Sequence, residues 1–464
     1  MIRFAAQELA AWLKSANRKP MVLRGARQVG KTWLVRDLAK RQNLDLIELN
    51  FERLPNLVDL FQSNNPAEIL RNIESELAIK INREKSLLFL DEIQAAPELF
   101  IKLRWFKEEL PELPVIAAGS LVELALSNQR YSMPVGRITY FFLEQMSFFE
   151  YLKATGNEAL FEKLDTFELD SVMPASLHEK CLNLYYEYCL VGGMPEVLNE
   201  WKNEKDLKLC LKIQQDLLAT YRDDFHKYGG KIDANLLTKL MLSVSEQIGN
   251  KFIYSRVDPS LKTSQAKTAL TLLSQARVCT MIKHTSGNGL PLGAESNEKF
   301  FKMILLDIGL VSAQLGLSSL KRSEASKVVF SNKGGLAEQF VGQQLRTLGT
   351  PLLYPRLYYW QRTGGRLGEV DYIIQHGNRI VPIEVKAGST GGMKSLHQFM
   401  VDKKLDLAIR CYINEPVFEE ISLKTTQGNP VSYRLLSIPH YLIERLPSLL
   451  DHINGPLTIA GKAV

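Results

Sequence analysis

Pro20-Met-Val-Leu-Arg24, then Gly25-Ala26-Arg27-Gln28-Val29-Gly30-Lys31-Thr32, then Trp33-Leu-Val-Arg-Asp-Leu-Ala-Lys-Arg41: this stretch decides the fold. A short run of strand type leads into G-x-x-x-x-G-K-T, and a pattern of helical period follows without a break. Glycines let the loop backbone wrap so that its N–H groups point inward, and the helix presents its positive end at the same place. Such a loop holds phosphates. Gly25 to Thr32 are therefore expected to bind ATP, with Lys31 reaching the β- and γ-phosphates and the Thr32 hydroxyl ligating Mg²⁺.

A glycine-rich turn that happens to carry a lysine would leave a second element unexplained. Ser86-Leu-Leu-Phe-Leu-Asp91-Glu92 is an apolar run of strand length that ends in two carboxylates. Asp91 is placed to handle the magnesium, and Glu92 to activate water as a general base. A third strand-like run, Pro114 to Gly119, ends in Ser120. That serine reads either as a sensor of the γ-phosphate or as an N-cap for the helical pattern that follows. Arg130 and Arg137 come next. Arg137, beside Gly136, is the better candidate to neutralise transition-state charge, against the plainer reading of a surface arginine.

The motifs Gly-Ala-Arg-Gln-Val-Gly-Lys-Thr, Leu-Asp-Glu-Ile-Gln, Ala-Gly-Ser and Val-Gly-Arg resemble those of an AAA-type ATPase family of bacteria and archaea. Its members carry a C-terminal domain of unknown function. Val191-Gly-Gly-Met-Pro-Glu196 and Tyr221-Arg-Asp-Asp224 fit the same pattern, so the resemblance runs from about residue 3 to about residue 400. It implies an ATP-dependent regulator or a nucleic-acid-associated machine and leaves the substrate open.

The bulk properties agree with a multi-unit enzyme. A chain of 464 residues exceeds one ordinary core, and 45% hydrophobic with 23% charged residues is a soluble globular composition. A net charge of +6 permits a nucleic-acid partner without arguing for one. Five cysteines with no CxxC pair read as buried thiols, not as a zinc site or a disulfide framework. The N-terminus has helical amphipathic spacing and no signal-peptide pattern. No apolar run is long enough to span a membrane, so a cytoplasmic location is expected.

The organisation expected is α/β: an AAA-type P-loop ATPase domain over 1–150, a helical lid over 151–230, a winged-helix-like module over 231–330 and a nuclease-like α/β domain over 331–464. Gly192-Gly193 and Pro195 break the lid, as a hinge or as a plain tight turn. In the third unit, a helix from Ala234 to Ile248, a helix from Thr263 to Gln275 and a strand from Arg277 to Lys283 follow winged-helix order. The exposed face expected of its second helix offers Ser264, Gln265, Lys267 and Thr268, with Lys262 before it and Lys283 in the possible wing, a thin basis for reading DNA, so packing against a protein partner is as good a reading.

Near the C-terminus two strand-like runs flank Gly377-Asn378, a two-residue hairpin turn. Pairing His376 with Arg379 then sets Asp371 opposite Glu384 and Glu369 opposite Lys386, all on one face. An Asp followed by Glu-x-Lys resembles the PD-(D/E)xK nucleases. That resemblance implies that Asp371 and Glu384 hold a magnesium, that Lys386 polarises water, and that Glu338 adds an acid from a helix. Three readings stay open: an active nuclease, a nuclease fold that does not cut, and a cross-strand salt-bridge ladder. The partners expected are ATP, then DNA or RNA or a regulatory protein, with oligomerisation required if an arginine acts in trans.

Overall fold

The computed structural model describes residues 2–120, 122, 133–134, 136–227, 232–317, 334–362, 368–389 and 391–454. Strands β1 (Met21–Arg24), β2 (Asp45–Asn50), β3 (Ser86–Asp91), β4 (Val115–Gly119) and β5 (Thr139–Phe142) form a sheet in the order β2-β3-β4-β1-β5. Every neighbouring pair in it is parallel. The three central strands are almost wholly apolar because both faces are covered, as parallel sheets require. Successive side chains enter different cores. Met21, Leu23, Leu87 and Phe89 join one cluster with Leu34 and Leu38, while Val22, Leu88 and Leu90 join another with Ile69 and Leu103. Helices α1 (Ala5–Lys14) and α2 (Lys31–Arg41) supply the first layer, and α3 (Pro66–Leu77) with α4 (Leu99–Glu109) the second.

A helical segment follows: α5 (Phe148–Ala154), α6 (Glu158–Asp165), α7 (Ala175–Val191), α8 (Pro195–Glu204) and α9 (Leu207–Asp224). Ser147 and Glu150 close a reciprocal capping box on α5. The turn between α7 and α8 is Gly192-Gly193-Met194. Gly193 has no room for a side chain because an added Cβ would strike the Met146 carbonyl oxygen. The turn is held by the Met146 N–H on Gly193 O (2.8 Å) and the Gly193 N–H on Asp307 Oδ2 (2.6 Å).

Helices α10 (Ala234–Glu246) and α11 (Thr263–Gln275) sit close to their expected bounds. The strand after them, β6 (Cys279–Thr285), starts two residues later than expected, because Arg277 adopts a left-handed φ of 61° that turns the chain. With β7 (Ser296–Leu305) it forms a hairpin, and β6 also runs parallel to β8 (Leu357–Gln361), Ile282 facing Leu357. The hairpin therefore belongs to an eight-stranded mixed sheet with β9 (Glu369–His376), β10 (Arg379–Val385), β11 (Leu407–Tyr412), β12 (Val417–Lys424) and β13 (Pro430–Pro439), in the order β12-β13-β11-β10-β9-β8-β6-β7. A division at residue 330, which itself lies outside the described residues, cuts across this sheet. The remaining helices are α12 (Ile308–Gln314), α13 (Gly335–Leu345), α14 (Lys394–Lys403) and α15 (Leu446–Asn454). One cluster of buried apolar side chains runs from Leu9 to Ile453, so the two sheets share a core. All five cysteines are buried and free, and no described helix is long and apolar enough to cross a membrane.

Candidate nucleotide site and acidic centre

The loop leaves β1 at its carboxyl end and enters α2, whose N-cap is Gly30. Gly30 has φ 95° and Gln28 φ 62°, so the loop backbone turns through the left-handed region twice. At Gly25 an added Cβ would stand 2.5 Å from Leu143 O. Lys31 folds over the loop and donates to Gly25 O (3.1 Å) and Ala26 O (2.8 Å). Its burial pushes the ammonium down to about 8, against the raising effect of Glu92 and Asp91. The Thr32 hydroxyl lies 3.3 and 3.2 Å from the two oxygens of Asp91, and Asn50 Nδ2 reaches Asp91 Oδ2 at 3.1 Å. Burial and the neighbouring Glu92 hold the Asp91 carboxyl above its ordinary range.

Glu92 stands just past β3 with φ 51° and accepts from Gln94 Nε2 at 2.5 Å. Gln94 lies against Gly119, where an added Cβ would overlap its carbonyl oxygen. Ser120 follows at the end of β4, the strand between β3 and β1, with its hydroxyl buried and without a hydrogen-bond partner among the described residues. Residue 121 and residues 123–132, which include Arg130 and most of the helical pattern that Ser120 is expected to cap, lie outside the described residues.

Arg137 is placed elsewhere. It precedes β5, whose Thr139 is level with Met21 at the start of β1, so it lies at the edge of the sheet opposite the loop. There it is half exposed and paired with Glu108 at 2.7 Å. The structure does not bring it to the loop of its own chain, because parallel strands put the start of β5 beside the start of β1.

Three groups that hold the loop were not marked as site residues. Arg3 donates to Val29 O (2.7 Å) and Glu144 O (2.6 Å) and pairs with Glu150. Tyr221 donates to Arg27 O at 2.8 Å, and Asp224 pairs with Arg27. The Tyr221-Arg-Asp-Asp224 motif thus clamps the loop from α9. Only its resemblance to the family pattern pointed to it; Arg3 carried no local signal.

The second cluster lies on the C-terminal sheet. The hairpin register is as expected through Ile374–Val381 and Tyr372–Ile383. Beyond it, Asp371 Oδ2 accepts from the Val385 N–H at 2.8 Å. At its centre stands a residue the sequence did not single out. Lys302 of β7 is buried and contacts Glu338 (2.7 Å), Asp371 (3.4 Å) and Glu369. Burial alone would lower its pKa, but the three acids hold it well above the ordinary lysine value. The carboxylate oxygens of Glu338, Glu369 and Asp371 lie within 4.8 Å of one another. Glu384, expected as the metal partner of Asp371, is instead engaged by Lys386 at 2.6 Å, its other oxygen buried without a hydrogen-bond partner among the described residues. Nor does Glu369 meet Lys386: it turns to Lys302. Burial and Asp371 push Glu338 and Glu384 each up to about 8. Once all four are ionised, above about pH 8, four carboxylates against two ammonium groups leave an excess of negative charge, which a divalent cation would offset.

Residues 17–152 match the family described as an AAA domain. Residues 182–321 and 333–427 match two families described as domains of unknown function, DUF8612 and DUF4143. No curated protein matches the chain. Among solved structures, C. elegans PCH-2 is 14% identical over 43% of this chain, with a TM-score of 0.27, and the chain spans 62% of its length. Aeropyrum pernix ORC2, solved as ADPNP–ADP complexes, is 15% identical over 69% of this chain and 96% of its own, with a TM-score of 0.25. The Thermotoga maritima RuvB Holliday junction branch migration motor is 16% identical over 60% of this chain and 88% of its own, with a TM-score of 0.29.

Proposed function

We propose that this chain binds and hydrolyses ATP with magnesium at the loop of its AAA-type segment. The observation that carries the reading is the convergence of Lys31, Thr32 and Asp91 at the carboxyl ends of adjacent strands, with Thr32 Oγ1 3.2 Å from Asp91 Oδ2. The loop also fits a polyphosphate: Gly25 leaves no space for a side chain, and Ser120, whose buried hydroxyl has no partner among the described residues, stands beside it. Thr32 and Asp91 would hold the metal, which when bound neutralises charge on phosphate oxygens. Glu92 holds and orients water, and Lys31 leaves its carbonyl partners for the phosphates. Arg137, placed away from the loop of its own chain, would act only on the nucleotide of a neighbouring copy. Magnesium-dependent ATP turnover in the parent, lost in Lys31→Ala, is the test; equal turnover in both would overturn the reading.

The trio Glu338, Glu369 and Asp371 is the proposed second cation site, with Glu384 and Lys386 next to it in nuclease-like order. We infer that nucleotide state controls this C-terminal domain. One observation favours a protein partner over nucleic acid. Of the three lysines on the candidate DNA-facing surface, Lys267 and Lys283 share one carboxylate, Glu298 (3.4 and 3.0 Å), and Lys262 is exposed, so the net positive charge offered to a phosphate backbone is small. ATP turnover measured with and without DNA and RNA separates the two: stimulation by either nucleic acid supports the first, and indifference to both supports the second.

A further inference from the structure

A cavity of about 800 Å³ opens where β5, α13, β9 and α15 meet, lined by none of the phosphate-loop residues and none of the acidic-centre carboxylates. Its walls are largely apolar, with Leu345, Leu348, Ile374, Leu446 and Leu450 among them, yet Glu144 and Arg346 also line it. Arg346, only 5% exposed, donates to Glu144 Oε2 at 2.5 Å. Arg277, also buried, pairs with the other oxygen of Glu144. Burial works against the Glu144 anion, but the two guanidinium groups more than offset it, so Glu144 stays ionised.

Two buried cations against one anion leave one positive charge in a low-dielectric setting, which is costly unless something answers it. The Arg277 charge is partly met by the rings of Phe142 and Tyr354, at 5.1 and 5.3 Å. Among the described residues, no ring faces Arg346. Nε and Nη1 of both arginines are buried and without hydrogen-bond partners among the described residues, but of the two side chains only that of Arg346 lines the cavity. Arg356 also lines the cavity but is exposed, so water already solvates it.

We propose that this cavity binds an amphipathic organic monocarboxylate, its headgroup on Arg346 and its apolar body among the leucines. A single negative charge matches the single unanswered positive one. A phosphate monoester would carry a second charge into the same apolar space, and an alcohol would carry none. Apolar burial with one placed polar contact is the common form of a small-molecule site.

The test is calorimetry on the full chain with decanoate, decanol and decyl phosphate. Decanoate should bind saturably at one site, with decanol and decyl phosphate weaker by roughly tenfold or more. Arg346→Gln should lose a similar factor for decanoate. Because that change disturbs the pairing of Glu144, Gly349→Phe provides an independent variant. Gly349 lines the cavity and an added Cβ there meets nothing within 4 Å, so Gly349→Phe should fold and block the site. No saturable decanoate binding in the parent, equal binding of decanol or decyl phosphate, or decanoate affinity unchanged in folded Gly349→Phe would each overturn the proposal.

Discussion

Lys31 carries the positive charge that the phosphates would meet, and its ordinary lysine pKa is lowered to about 8 by burial. The free protein therefore begins to lose that charge above pH 8. ATP affinity, measured by calorimetry with magnesium between pH 7.5 and 9.5, should weaken above about pH 8, by up to roughly tenfold per pH unit; a flat profile would contradict it. Lys31→Ala should weaken binding by roughly 100-fold, the loss of a strong charge-assisted contact of about 3 kcal/mol. Glu92 is a different case. Its carboxylate holds Gln94 and touches no loop atom in the hydrogen-bond pattern, so Glu92→Gln should keep nucleotide affinity while hydrolysis falls by roughly 10²- to 10⁴-fold. Parallel losses of affinity and turnover would mean that Glu92 shapes the loop instead.

At the scale of elements, the α7–α8 turn and the acidic centre make opposite demands on their surroundings. Gly193 is pressed between Met146 O and the Tyr188 hydroxyl, so Gly193→Ala should cost roughly 2–4 kcal/mol in urea unfolding. Gly289, with open space around it, is the control: Gly289→Ala should stay within about 0.5 kcal/mol. The acidic centre is instead sensitive to pH. Glu338 titrates near 8 in the folded chain, above its ordinary 4.5, so the stability it contributes is complete below pH 4.5 and is lost as pH rises through 8. A divalent cation should reverse that loss where the carboxylates are ionised. Thermal melts with Mn²⁺ against a chelator should shift more at pH 8.5 than at pH 6, and Glu338→Gln should remove the difference. The same shift in parent and variant would place the cation elsewhere.

Across the whole molecule, Glu144 ties the first sheet to the second. It leaves β5, takes Arg346 from α13 and Arg277 from the turn before β6, and offers its carbonyl to Arg3, which also holds Val29 of the loop. Glu144→Ala would leave two buried guanidinium groups facing each other without their anion, a change that should cost about 3–5 kcal/mol in chemical unfolding. If the loss is below about 1 kcal/mol, water or relaxation reaches the cluster and the two sheets are less firmly joined than the shared core implies.

Local pattern alone made β1, the phosphate loop and α2 legible, along with the apolar run ending at Asp91 and Glu92, the bounds of α11 and the register of the β9–β10 hairpin. Each is a matter of neighbours in sequence: period, glycine placement, a two-residue turn. Lys302, Arg3 and the Glu144 cluster were not legible, since each is a charged residue whose meaning depends on partners brought from distant strands. The same reason moved Arg137 away from its loop and gave the β6–β7 hairpin to the C-terminal sheet, because sheet order and the edge at which a strand begins are set by long-range packing. The sequence by itself determined which backbone could receive phosphates. Only the tertiary structure decided which charges lie buried together, because desolvation and pairing are properties of the packed interior and not of any segment alone.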